Sequence, residues 1–180
     1  MSMLGITLLN EIVNIQGITK SDSIVTELRK KVIRSFQQGR KDIQANDGID
    51  IALCVLDKAQ MKIQFTGGMN DLVYIHDNKL EIIKADRFSA GFTYDNPKPF
   101  TMKEIDCKKG DIFYLFTDGY RDQLGGDLCK KYLTRNLHIK LLEIHELELS
   151  DQRLILEKNL VDWMKDNTQT DDITIFGIRF

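Results

Sequence analysis

The chain has 180 residues, 42% of them hydrophobic, 29% charged and 8% aromatic, with a formal net charge of −2. That apolar content is too high for a disordered chain and sufficient for one domain with a real core, and the balanced charge excludes a polybasic nucleic-acid binder. The longest unbroken apolar run, Ile51 to Leu56, falls far short of the ~20 residues of a membrane-spanning helix, so no membrane contact is expected.

Leu4, Leu8, Ile12 and Ile15 recur at helical spacing, and Gly17 suits the left-handed residue just past a helix end. Asp22 or Ser23 caps a second helix in which Ile24, Leu28, Val32 and Phe36 form one apolar stripe and Gly39 marks the end. Arg29, Lys30, Lys31 and Arg34 on its other faces have no interleaved aromatics and read as a solvated surface. A polar loop, Gln44 to Gly48, follows. The pattern then switches to period two. Ile51 to Leu56 reads as a buried strand with Cys54 in the core, and Asp57 to Gln60 as a turn. Met61, Ile63 and Phe65 alternate with Lys62, Gln64 and Thr66. Leu72 to Ile75 and Leu80 to Ile83 flank Asp77-Asn78 as a second hairpin. Another strand is expected through Thr101 to Cys107. Ile112 to Phe116, apolar on both faces, is expected at the centre of a sheet. Ser150 or Asp151 caps a late helix carrying Leu156, Leu160, Trp163 and Met164, and Ile173 to Phe180 closes the chain as a strand. This order predicts an α+β fold with antiparallel sheet rather than the regular alternation of a parallel one.

Cys54, Cys107 and Cys129 are an odd number without a CxxC pair, so neither a disulfide framework nor a structural zinc site is expected. No basic stretch precedes an apolar one at the N-terminus, and the expected location is the cytoplasm. His76, His138 and His145 read as surface histidines.

Two places put acidic residues at strand boundaries. An apolar strand runs into Thr117-Asp118-Gly119-Tyr120-Arg121-Asp122, and Asp171-Asp172-Ile173-Thr174 opens the last strand. Such carboxylates are the hard oxygen ligands that Mg²⁺ or Mn²⁺ takes, although by spacing alone they read first as an Asp-Gly turn and a solvated strand start. A haloacid-dehalogenase-type site needs a second Asp two residues after the first, where this chain has Tyr120. No G-x-S-x-G elbow and no Walker A loop occurs, and Gly67-Gly68 and Gly125-Gly126 are too plain for phosphate loops.

The ordered pair Phe113-Tyr114-Leu115-Phe116-Thr117-Asp118-Gly119 and Asp171-Asp172-Ile173-Thr174, about 50 residues apart, resembles the SpoIIE-like serine phosphatases, a bacterial branch of the metal-dependent protein phosphatases. Asp122-Gln123, Gly125-Gly126 and Lys130-Lys131 between them are similar to the branch attached to sensor modules. Asp47-Gly48 to Leu53, Gly67 to Asn70 and Lys109-Gly110-Asp111 fall where that family has strand, turn and strand. The resemblance implies a β-sandwich flanked by helices, with two Mn²⁺ or Mg²⁺ ions in a cleft. A water bridging them attacks the phosphoserine phosphorus in line. It also implies that Asp118 and Asp171 are metal ligands, that Gly119 keeps the ligand loop tight, and that Asp122 and Asp172 are acidic neighbours holding a further ion or water.

The family's first metal motif, an Asp-Gly followed by Gly-His-Gly, is not found in the 180 residues. The expectation is therefore one SpoIIE-like domain over residues 1–180 that lacks its first strands and has weak or no activity alone. The resemblance further implies a phosphorylated STAS-type protein substrate and an upstream sensor module. Lost edge strands and the stripe Met3, Leu4, Leu8 and Ile12 predict a homo-oligomer. The rival class is a non-catalytic, partner-binding module of the same fold.

Overall fold

A computed structural model describes residues 2–37, 48–92 and 98–180. The expected helix end at Gly39 and the loop from Gln44 to Asp47 lie outside these. The chain divides into two compact units. One comprises the described residues up to Leu72 with Ile83–Lys108, the other Val73–Ile82 with Lys109–Phe180.

In the first unit, helix α1 (Ser2–Asn10) runs into a single π turn, Glu11–Ile15, and Gly17 follows with φ +68°. Helix α2 spans Ser21–Gln37. Its stripe is buried as the spacing predicts: Ile24, Val25, Leu28 and Val32 pack with Leu8, Ile12, Ala90 and Phe100. Strands β1 (Gly48–Ile49) and β6 (Ala90–Gly91) form one antiparallel pair; β2 (Ile51–Asp57), β3 (Lys62–Gly68) and β7 (Lys103–Asp106) form a three-stranded antiparallel sheet in the order β2-β3-β7. The β2–β3 turn is held by Asp57 Oδ1, which accepts the amides of Ala59 and Gln60 at 3.0 and 2.9 Å, the local bonding that makes Asp a turn former.

Two expectations for this unit change. Arg29 is not on a solvated face: it is 5% exposed, donates to the carbonyls of Gly91 and Lys98 at 3.0 and 3.2 Å, and lies 5.3 and 5.9 Å from the ring centroids of Phe88 and Phe100. A guanidinium can be buried where carbonyls and ring faces replace water. The stripe expected to drive association is also mostly core. Leu8 and Ile12 are buried, and the exposed apolar side chains of this segment are Met3, Ile6, Val13 and Ile15.

In the second unit, β4 (Leu72–His76) and β5 (Lys79–Ile83) form the expected hairpin, with Asp77 and Asn78 at φ +45° and +58°, the left-handed pair of a type I′ turn. They join β8 (Ile112–Phe116) and β11 (Ile175–Arg179) in the order β11-β8-β4-β5. The doubly apolar β8 is thus central, as expected. Between β8 and β11 come a one-turn helix α3 (Gly119–Asp122), the short pair β9 (Leu124–Gly125) and β10 (Lys130–Lys131), and helices α4 (Thr134–Ile144) and α5 (Leu149–Met164). Val73, Ile75, Ile112 and Tyr114 of the sheet bury against Leu137, Leu141, Ile144 and Leu156 of the helices. On the opposite face of β8, Phe113 stacks on Tyr74 with centroids 4.4 Å apart, and Tyr74 donates to Asp111 Oδ2 at 2.7 Å.

Here α5 begins earlier than its expected cap. Glu148 takes that place, its carbonyl accepting the amides of Asp151 and Gln152 at 2.9 and 3.0 Å. The histidines are half-buried rather than superficial. His145 Nδ1 lies 2.6 Å from the Leu142 carbonyl and Nε2 3.0 Å from Asn78 Oδ1; His76 lies 3.0 Å from Glu81; His138 meets the edge of Phe116.

Candidate functional site

The two acidic segments, distant in sequence, meet at one end of the β8–β11 pair. β8 ends at Phe116, and Thr117 takes over the pairing: its amide donates to the Thr174 carbonyl at 3.0 Å. Its hydroxyl donates to the Asp172 carbonyl and accepts the Thr174 amide, both at 3.0 Å. A side chain thus replaces a ladder bond, which explains why β11 starts at Ile175 rather than at the expected Ile173. Asp118 follows as the N-terminal flank of α3, with its carbonyl accepting the Asp122 amide at 3.0 Å.

Gly119 is buried beneath the second segment. A Cβ built there would lie 2.5 Å from the Asp172 carbonyl oxygen and 3.0 Å from Ile173 Cγ1. Only a residue without a side chain permits that approach. Tyr120, next along, is buried; its hydroxyl donates at 3.0 Å to the Leu156 carbonyl, and its ring meets Tyr132 edge-on at 5.1 Å. Burial raises the pKa of the Tyr120 and Tyr132 phenols, and that of Tyr114 to about 12.

Of the candidate ligands, Asp118, Asp171 and Asp172 are exposed, and Asp122 is half-buried. Asp122 lies 3.2 Å from Lys131 Nζ across the β9–β10 segment. Asp171 Oδ1 accepts the Asp172 amide at 2.7 Å, and the Asp171 carbonyl accepts the Gln169 side chain at 2.7 Å. Gln123, fully buried, reaches the same stretch: its Nε2 donates to the Thr168 carbonyl at 2.9 Å and its Oε1 accepts the Thr170 amide at 3.3 Å. The structure therefore brings Thr117 and Gly119 against Asp172 and draws Asp122 toward Lys131. Thr117 and Gln123 are the residues that sequence reasoning missed as parts of the site. The flanking of the two aspartate motifs by Thr117 and Thr174 was the available signal.

The donor chemistry suits a hard divalent cation, since carboxylate oxygens on backbone-tethered segments match the oxygen ligands of Mg²⁺ or Mn²⁺. Among the described residues, however, no group of three or more His, Cys, Asp or Glu side chains gathers closely enough to hold an ion. The Gly125-Gly126 pair is structural: Gly126 N–H donates to the Trp163 carbonyl at 2.8 Å, and a Cβ on Gly125 would lie 2.0 Å from that oxygen.

The helices with antiparallel sheets match the PP2C-type phosphatase fold. The SiaA-PP2C domain of Pseudomonas aeruginosa superposes with a TM-score of 0.85 at 23% identity, over 99% of this chain and 68% of that one. The PP2C phosphatase domain of SpoIIE from Bacillus subtilis, solved with a fragment of its regulatory domain, gives 0.69 at 14% identity, over 98% of this chain and 48% of that one. A manganese-presoaked structure of the SpoIIE phosphatase domain from Bacillus subtilis gives 0.57 at 15% identity, over 97% and 70%. No curated protein matches by sequence. The family model for Stage II sporulation protein E (SpoIIE) matches residues 1–180, and the chain belongs to that family.

Proposed function

We propose that these residues form the C-terminal acidic side of a metal-dependent protein phosphatase site acting on phosphoserine or phosphothreonine in bacterial signalling. The observation that supports the reading is the junction of Thr117 and Gly119 with Asp172 and Thr174, which joins the two segments that carry Asp118 and Asp171. When bound, Mn²⁺ or Mg²⁺ would supply a water of lowered pKa and charge stabilisation on the phosphoryl oxygens. Asp118 and Asp171 would ligate, Gly119 would let the two loops touch, and Asp122 and Asp172 would orient water or a further ion. A STAS-type phosphoprotein as substrate, an upstream sensor and self-association through the exposed side chains of α1 belong to the same reading.

The 180 residues contain no Asp-Gly followed by Gly-His-Gly, and the expected activity of this chain alone is weak. Manganese-dependent hydrolysis of p-nitrophenyl phosphate tests this on the chain and on a version extended by a segment carrying that motif. The extended protein should turn over and lose activity in Asp118→Asn. Strong turnover by the 180 residues alone would refute the weakness; none by the extended protein would refute catalysis. The sparse carboxylate grouping favours a second reading, a non-catalytic partner-binding module. Calorimetry showing no Mn²⁺ uptake by the extended protein would decide for it.

A further inference from the structure

We propose that Gln123 is a positioning residue for Asp171, setting that carboxylate against the Asp118 turn; the inference rests on the metal-site reading above. Residues 167–174 have no regular helix or strand structure, so their path must be set by bonds to neighbouring elements. Gln123 is 0% exposed, and a wholly buried amide is costly unless each polar atom is paired. It is paired throughout. Nε2 donates to the carbonyls of Thr168 and Leu124 at 2.9 and 3.1 Å, and Oε1 accepts the Thr170 amide at 3.3 Å. The backbone carbonyl of Gln123 accepts Trp163 Nε1 at 3.1 Å and the Tyr132 amide at 3.0 Å.

Two tethers therefore bracket Asp171. Gln123 holds the residues just before it, and Thr117 holds the residues just after it. Both originate on the segment that carries Asp118 and Asp122. A glutamine serving packing alone would have no reason to spend both ends of its amide on one exposed, irregular strand of chain. An apolar side chain of the same volume would fill the space without the desolvation cost.

The test uses the 180-residue chain with Gln123→Met, which preserves length and removes both polar atoms, and Gln123→Asn, which keeps an amide and shortens its reach by one methylene. The amide exchange rate of Thr170 and Mn²⁺ affinity, read by paramagnetic broadening of the Asp118 and Asp171 amides, are the two measurements. Fluorescence of Trp163 is the control, because its bond to the Gln123 backbone survives in both variants. Gln123→Met should speed Thr170 exchange about tenfold and weaken Mn²⁺ about fivefold, the loss of roughly one hydrogen bond, with Gln123→Asn intermediate. Should the methionine variant fail to fold, the asparagine variant carries the comparison. Unchanged exchange would overturn the tether. Faster exchange with Mn²⁺ affinity within about twofold of wild type, on this scale, would reduce Gln123 to a structural role and overturn its positioning one. A wild-type chain whose amides show no Mn²⁺ effect would overturn this inference alone, since no bound ion would then depend on Gln123; the metal-site reading is overturned separately, by the extended protein taking up no Mn²⁺.

Discussion

Replacing Gly119 by alanine tests the contact that joins the two acidic segments. The new Cβ would start 2.5 Å from the Asp172 carbonyl oxygen, and ordinary contact begins near 3.4 Å. One segment must therefore retreat by about 0.5–0.9 Å. The bonds from Thr117 to Asp172 and from Thr174 to Thr117, each 3.0 Å, would stretch to roughly 3.5–3.9 Å, beyond useful hydrogen-bond length. Two neutral bonds contribute about 0.5–1.5 kcal/mol each, and overpacking adds about 1–3 kcal/mol. Against this, alanine is favoured over glycine in a helix by about 1 kcal/mol. The net destabilisation is roughly 1–5 kcal/mol, or a Tm lower by about 2–20 °C for a chain of this size. Urea denaturation followed by the single tryptophan, Trp163, with amide exchange at Thr174 measured alongside, reads both consequences. A variant within about 0.5 kcal/mol of wild type, with Thr174 exchange unchanged, would refute the claim that this glycine is required by close approach.

Two further perturbations follow from the same geometry. Gly125→Ala places a Cβ 2.0 Å from the Trp163 carbonyl oxygen and 2.6 Å from its ring Cδ1, closer than in Gly119→Ala. It should destabilise by about 2–4 kcal/mol and shift Trp163 emission to the red. Native-like emission and stability would contradict it. In the first unit, burial pushes the Asp71 carboxyl up, but the Ala85 amide and the Lys84 and Arg87 side chains outweigh it, and the pKa lies below the usual value. Its contribution to stability is then present above the unfolded-state pKa of about 3.9 and is lost as pH falls through the lower folded value. Asp71→Asn should flatten the acid limb of the stability–pH curve, and an unchanged limb would count against the pairing.

The sequence by itself determined the longer helices and strands and their order, while the two-residue strands β6, β9 and β10 carry no periodicity of their own. Period-two alternation at Met61–Phe65, the helical stripe Ile24-Leu28-Val32-Phe36, the Asp77-Asn78 turn and the doubly apolar Ile112–Phe116 are patterns within a few residues, and spacing encodes them directly. It also carried the acidic motifs and the family resemblance, because Asp118-Gly119 and Asp171-Asp172 are contiguous in the chain. Only the tertiary structure decided what these motifs touch. That Thr117 substitutes a hydroxyl for a ladder bond, that Gln123 is a buried tether rather than a polar loop residue, and that Arg29 lies among carbonyls and rings all depend on contacts between segments tens of residues apart. No local periodicity specifies which surfaces meet. The same limit applies to glycine: Gly119 and Gly125 read as turn residues in a sequence, and the Asp172 and Trp163 carbonyls above them are what exclude a side chain.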